Sequence, residues 1–122
     1  MTYTINRMIP DAGIDDVDAW ARKALADHGF GVLTEIDVQQ TMKQKIDKDM
    51  DGYKILGACN PNMAWEAMGL EPRIGAMLPC NVILRSVESG TEVSAIDPVA
   101  SMQAVENAEL HEVGRASCRE RV

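Results

Sequence analysis

The sequence predicts an α+β fold, a largely antiparallel sheet of about five strands with helices packed on one face. Three observations carry this. Apolar residues recur at helical spacing over Ile14, Val17, Ala21, Ala24 and Leu25; period-two or continuous apolar runs stand on either side; and a turn, Glu88-Ser89-Gly90-Thr91, joins the last two such runs. The resulting order of strand, helix, several further strands and closing helix is an α+β layer pattern.

Taken in order, residues 2 to 9 alternate around Tyr3, Ile5 and Arg7 and stop at Pro10, which reads as a first strand. A helix follows from Asp11 or Gly13, with Asp15 and Asp16 near its positive N-terminal end and Gly29 placed for the left-handed residue that closes it. Phe30, Val32, Thr34, Ile36 and Val38 alternate with polar or variable neighbours, the pattern of a half-buried second strand. The period then changes to three and four at Val38, Thr41, Met42, Lys45 and Ile46, so a short helix is expected after Asp37, a good N-cap. Asp47-Lys48-Asp49-Met50-Asp51-Gly52 begins like a calcium-binding EF-hand loop. Its twelfth position is Ala58, where that loop needs a bidentate carboxylate, so the segment reads as a solvated acidic turn.

Tyr53 to Ala58 is a buried third strand in which Gly57 and Ala58 leave room for a close neighbour. Asn60 caps the next helix, Pro61 takes its first position, and Met63, Ala64, Ala67 and Met68 form its apolar stripe up to Gly69. Trp65 lies off that stripe and is expected under a loop. After a loop over Glu71 to Gly75, Met77 to Val87 reads as a fourth strand with Pro79 near its start, and Glu92 to Ile96 as its hairpin partner. Asp97 and Pro98 open a last helix whose apolar positions include Val99, Met102, Leu110 and Val113.

A chain of 122 residues makes one ordinary domain, long enough to bury roughly two thirds of the surface its unfolded form exposes. Few aromatics and eight methionines point to an aliphatic, adaptable core. The net charge of −7 repels phosphate backbones and anionic lipid heads, and no Lys/Arg cluster offsets it in the body of the chain, so nucleic acid is not expected as a partner. Residues 1 to 7 lack a basic region followed by an apolar one, and no apolar run has membrane-spanning length. The protein is therefore read as cytoplasmic, with no membrane partner, and its three cysteines as reduced thiols.

From Gly114 to Val122 the apolar stripe is lost and the composition turns basic. The run resembles translated adaptor sequence, the alternative being a frayed basic tail, and residues 114–122 are set aside as an atypical tail. Without its three arginines and one glutamate the net charge is −9, and Cys118 drops out of consideration.

Tyr53-Lys54-Ile55-Leu56-Gly57-Ala58-Cys59-Asn60-Pro61, with Ala64 and Ala67, then Ile74-Gly75 and Leu78-Pro79-Cys80-Asn81-Val82, then Asp97-Pro98 and Met102, resembles the domain of unknown function 302 family. Gly29 to Asp37 fits the same pattern, and the similarity supports one domain of that family over residues 1–113. The resemblance implies a TBP-like β-α-β(4)-α fold in a small bacterial or archaeal protein, often standing alone. It implies no established activity.

Two near-mirror motifs, Cys59-Asn60-Pro61 and Pro79-Cys80-Asn81, each bring a thiol, a carboxamide and a proline together. If neighbouring strands carry them, Cys59, Asn60, Cys80 and Asn81 are expected to bound a pocket for a small anionic or sulfur-bearing ligand, or for thiol chemistry. Cys59, beside a helix start, is then the more nucleophilic thiol. The competing expectation is structural: free cysteine packs as a small hydrophobe, Asn60 caps a helix and Asn81 satisfies a turn or bulge. The domain is then a non-catalytic interaction module that forms a homodimer through a sheet edge or helix face. Two cysteines do not complete a zinc site, and His28 and His111 lie in distant helices, so no metal is expected. No glycine-rich phosphate loop, carboxylate pair or serine triad stands out, and the sequence assigns neither an enzymatic activity nor a cofactor.

Overall fold

Five strands, β1 (Thr4–Pro10), β2 (Gly31–Asp37), β3 (Tyr53–Cys59), β4 (Cys80–Val87) and β5 (Gly90–Ile96), form one sheet in the order β1-β5-β4-β3-β2. Every neighbouring pair is antiparallel. Between them run α1 (Ile14–Asp27), α2 (Val38–Ile46) and α3 (Pro61–Leu70), with a 3₁₀ helix at Pro72–Met77 and α4 (Pro98–Met102) after β5. The computed structural model of the protein describes residues 3–102. The expected continuation of the last helix and the tail 114–122 lie outside the described residues.

Since β1 and β2 are the two edges, the chain between them must cross the whole sheet, and α1 makes that crossing against β2, β4 and β5. Val17 and Ala21 are buried on Leu56, Val82 and Leu84 of the central strands, flanked by Ile9, Leu25, Val32 and Val93. Fully burying one such aliphatic side chain stabilises the fold by about 1.5–3 kcal/mol. Gly29 adopts φ +83°, the left-handed conformation that releases the chain from the helix. Asp37 caps α2 by accepting from the Gln40 N–H at 2.9 Å, and Asp97 caps α4 by accepting from Val99 N–H at 2.9 Å. The acidic turn after α2 is tied to Lys43, which pairs with Asp47 at 2.8 Å and Asp49 at 3.2 Å.

Three local expectations are corrected. Leu70 rather than Gly69 is the last residue of α3, and the segment expected as a loop winds into the 3₁₀ helix, where Ile74 packs on Ala67. Trp65 is not under a loop but 79% exposed. The third correction has consequences. The alternation expected through β2 breaks at a bulge: Val32 pairs with Ala58 and Thr34 with Gly57, leaving Leu33 as the extra residue. Ile36 consequently turns away from the α1 face, and Glu35 turns onto it opposite Leu56.

Glu35 thereby enters an ion cluster under α1. Asp18, almost fully buried, accepts from Arg22 at 2.6 Å and from Lys54 at 3.1 Å. Glu35 accepts from Arg22 at 2.7 Å and lies 3.3 Å from Lys54. Burial alone would raise the Asp18 carboxyl, but the hydrogen bonds from Arg22 and Lys54 outweigh it and hold the group below the usual aspartate range. Burial would lower the Lys54 ammonium, and Asp18 together with Glu35 reverses that and raises it.

Replacing Asp18 by Ala is expected to lower the unfolding free energy by about 1–3 kcal/mol in urea titrations, because it leaves a largely buried Lys54 without its nearest acceptor. The sign with pH is fixed by the two directions. A lowered carboxyl contributes fully above its unfolded value of about 3.9 and loses the contribution as pH falls through the folded value. The raised Lys54 contributes fully below about 10.4 and loses it as pH climbs through its folded value. The stability gap between wild type and Asp18→Asn should thus be level from about pH 5 to pH 9 and narrow in acid.

Candidate functional site

At one end of the sheet the two thiol-carboxamide motifs face each other across β3 and β4. Strand β3 delivers Ala58 opposite Cys80 and Gly57 opposite Asn81. Cys59 follows as the last residue of β3, and Asn60 then caps α3, its Oδ1 accepting from the Met63 N–H at 3.2 Å. Pro61 takes the first helical position, where a missing N–H costs nothing. On the return path Glu71 caps the 3₁₀ helix by accepting from Arg73 N–H at 3.0 Å, and Leu78-Pro79, joined by a cis peptide bond, leads into Cys80.

Close packing at this corner has a specific cause. A Cβ on Gly57 would sit 2.7 Å from Pro79 Cγ and closer still to the Thr34 hydroxyl, so only glycine lets both neighbours approach. Ala58 beside it is fully buried.

The structure brings three of the four expected site residues together. Cys59, Asn60 and Cys80 line one cavity of about 30 Å³ with Phe30, Met63, Ala64 and Leu78. Asn81 goes elsewhere: alternation along β4 turns it to the opposite face, where it is exposed and borders a groove with Thr4, Ile83, Ser94, Ile96 and Ser101. Neither described cysteine forms a disulfide, and Cys80 is buried while Cys59 is half-buried. A space of that size holds one or two waters, and small-molecule pockets begin at about 300 Å³. Among the described residues, no three His, Cys, Asp or Glu side chains are grouped to hold a metal ion. No helix among them is long and apolar enough to cross a membrane.

A second concavity was not anticipated from the sequence. It opens beneath α1 toward β1, is bordered by Arg7, Trp20 and His28, and measures about 320 Å³. The signal available was Trp20, one position before the buried Ala21, a large aromatic at the margin of a stripe made of small residues.

The profile of the family described as Domain of unknown function DUF302 matches residues 6–121. Among solved structures, the crystal structure of an uncharacterized conserved protein DUF302 from Bacillus stearothermophilus superposes with a TM-score of 0.90 at 19% identity. The match covers 99% of this chain and 94% of that one, and at this identity it speaks to the fold. No curated protein matches the chain.

Asn60→Ala is expected to cost about 1 kcal/mol in chemical denaturation, and Asn60→Asp, which keeps the cap, clearly less. Cys80→Ser exchanges a buried thiol for a more strongly hydrated hydroxyl and should cost more in the same titration than Cys59→Ser at the half-buried position.

Proposed function

This chain belongs to the family of Domain of unknown function DUF302, and from that premise we propose that it is a non-catalytic interaction domain. On this reading it pairs with a second copy of itself along β1, and Cys59 and Cys80 are structural. The observation that carries the reading is the state of the two sheet edges. On β2 the bulge at Leu33 breaks the register, a feature that discourages further pairing. By contrast β1 runs for seven residues in unbroken register with β5, from Thr4 opposite Ile96 to Pro10 opposite Gly90. Among the described residues no strand lies on its outer side. Backbone N–H and C=O groups there are a template for an added strand, and an antiparallel pairing of β1 with its copy satisfies the two-fold symmetry that most dimers have.

A second reading keeps a ligand at the corner, favoured by the convergence of Cys59, Asn60 and Cys80 on one cavity beside a helix start. It requires the corner to open, since the space accommodates only water, and Asn81 then acts from the other face or not at all. Thiol trapping separates the two. The structural reading expects iodoacetamide at neutral pH to modify Cys59 no faster than an unstructured thiol, and a faster reaction supports the second.

Light scattering on size-exclusion fractions over a concentration series tests the edge directly. Wild type should run as a dimer, and the paired change Asn6→Lys with Met8→Lys should give a monomer with an unchanged circular dichroism spectrum, because lysine on an edge strand opposes pairing. A monomeric wild type at every concentration, or a dimer that survives both lysines, overturns the proposal.

A further inference from the structure

The groove under α1 has the size, lining and charge of a binding site, and it shares only Phe30 with the corner cavity. It measures about 320 Å³, within the range of small-molecule pockets. Its origin is a shortage of cover. The inward side of α1 carries Ala21 and Ala24, and the strand beneath offers Ala95, so helix and sheet stand apart where larger side chains would have closed the gap. Trp20 and Ile5, which flank the opening, remain 43% and 46% exposed although both are large and apolar. Leu25, Phe30, Val82 and Val93 complete an apolar wall and floor.

The polar groups sit at the two ends. Arg7 projects from β1 with its guanidinium carbon 5.4 Å from the centre of the Trp20 ring, a cation stacked on an aromatic face. The chain carries an excess of acidic residues, yet Arg7 forms no ion pair among the described residues. At the far end, His28 directs Nδ1–H to the Ala24 carbonyl at 2.9 Å, which leaves Nε2 for another partner. Trp20 on α1 and His28, the residue that caps its C-terminal end, are eight residues apart, about 12 Å along the helix axis.

We propose that this groove binds a small, elongated apolar carboxylate, the acid group meeting Arg7 and the hydrocarbon lying beneath α1 toward His28. A planar guanidinium held on an aromatic ring is preorganised to donate two parallel hydrogen bonds to a carboxylate. An apolar trough of this length accepts a chain or fused ring and rejects a compact polar anion. The site is separate from the edge pairing: it lies on the α1 face, whereas strand addition uses backbone groups of β1 in the plane of the sheet.

Octanoate and octan-1-ol are suitable probes, because they share a hydrocarbon chain and differ in the acid. In a Trp65→Phe background Trp20 is the sole tryptophan and reports from the groove itself. Octanoate should change its fluorescence saturably, with one site by calorimetry, and octan-1-ol should bind roughly tenfold more weakly. Arg7→Met, which keeps the stem packed on Trp20, should reduce octanoate affinity roughly tenfold and leave octan-1-ol unaffected. Ala24→Phe, checked for an unchanged fold by circular dichroism, should block both by filling the groove. No saturable change with octanoate, equal affinity for the two probes, or full octanoate affinity in Arg7→Met each overturns the assignment. The last variant alters an exposed side chain, so the test stands whether or not the filled groove folds.

Discussion

One helix has to cover a face that is too wide for it. Five strands place the outer axes about 19 Å apart, whereas a helix with its side chains is only about 10–12 Å across. Crossing from one edge strand to the other, α1 seals the central strands with Val17 and Ala21 and leaves both flanks of the face to other means. On the β2 side the means is charge: Asp18, Arg22, Lys54 and Glu35 fill the margin with paired groups instead of aliphatic packing. Toward β1 no such filling occurs among the described residues, and Trp20 and Arg7 stand at the mouth of an open groove. The asymmetry between the flanks follows from which residues α1 presents to each.

The ion cluster in turn depends on a single extra residue. Without the bulge at Leu33, Glu35 would lie opposite Ile55 and face away from α1; with it, Glu35 lies opposite Leu56 and reaches both cations. A buried ion group is a weak source of net stability, since desolvation offsets much of the attraction. Its effect is better understood as positional: Arg22 and Lys54 reach both Asp18 and Glu35 only when α1 is seated in one register over β2 and β3. Gly57 acts on the same strand pair from the opposite face, where Thr34 and Pro79 close over the space a side chain would need. The position of α1 and the geometry of the corner are thus set by neighbouring residues of β2 and β3.

Where local chemistry dictated the outcome, the sequence was legible. Asp37, Asn60 and Asp97 cap the helices they precede, Gly29 takes a positive φ, and the hairpin at Glu88 to Thr91 joins β4 to β5, because each answers to its immediate neighbours. Period-two reading failed at β2 because a bulge is decided by the partner strand and by what lies across the sheet, neither of which is local. The 3₁₀ helix after α3 escaped for a similar reason, since Ile74 folds inward to meet Ala67 on a different element. At the candidate site, the meeting of Cys59, Asn60 and Cys80 was readable from paired motifs flanking consecutive strands. That Asn81 belongs to the other face was readable only in part: alternation separates it from Cys80, but which of the two points to the corner depends on register.

The twin motifs also admit an explanation that requires no ligand. Here a central strand hands over to a helix while its neighbour returns from one, so each must change direction at the same level of the sheet. Such a crossing needs a cap for the outgoing helix, a small side chain at each strand end, and a backbone that can pass within contact of another chain segment. Asn60 supplies the first, Cys59 and Cys80 the second, and Gly57 beneath Pro79 the third. Asn60, the two cysteines and Gly57 each answer a packing or hydrogen-bonding requirement, and the cavity that remains holds one or two waters. A motif specific enough to mark a family can therefore record how a joint is built, and the partner surfaces proposed above, β1 and the groove beneath α1, are places where the sequence carries no motif.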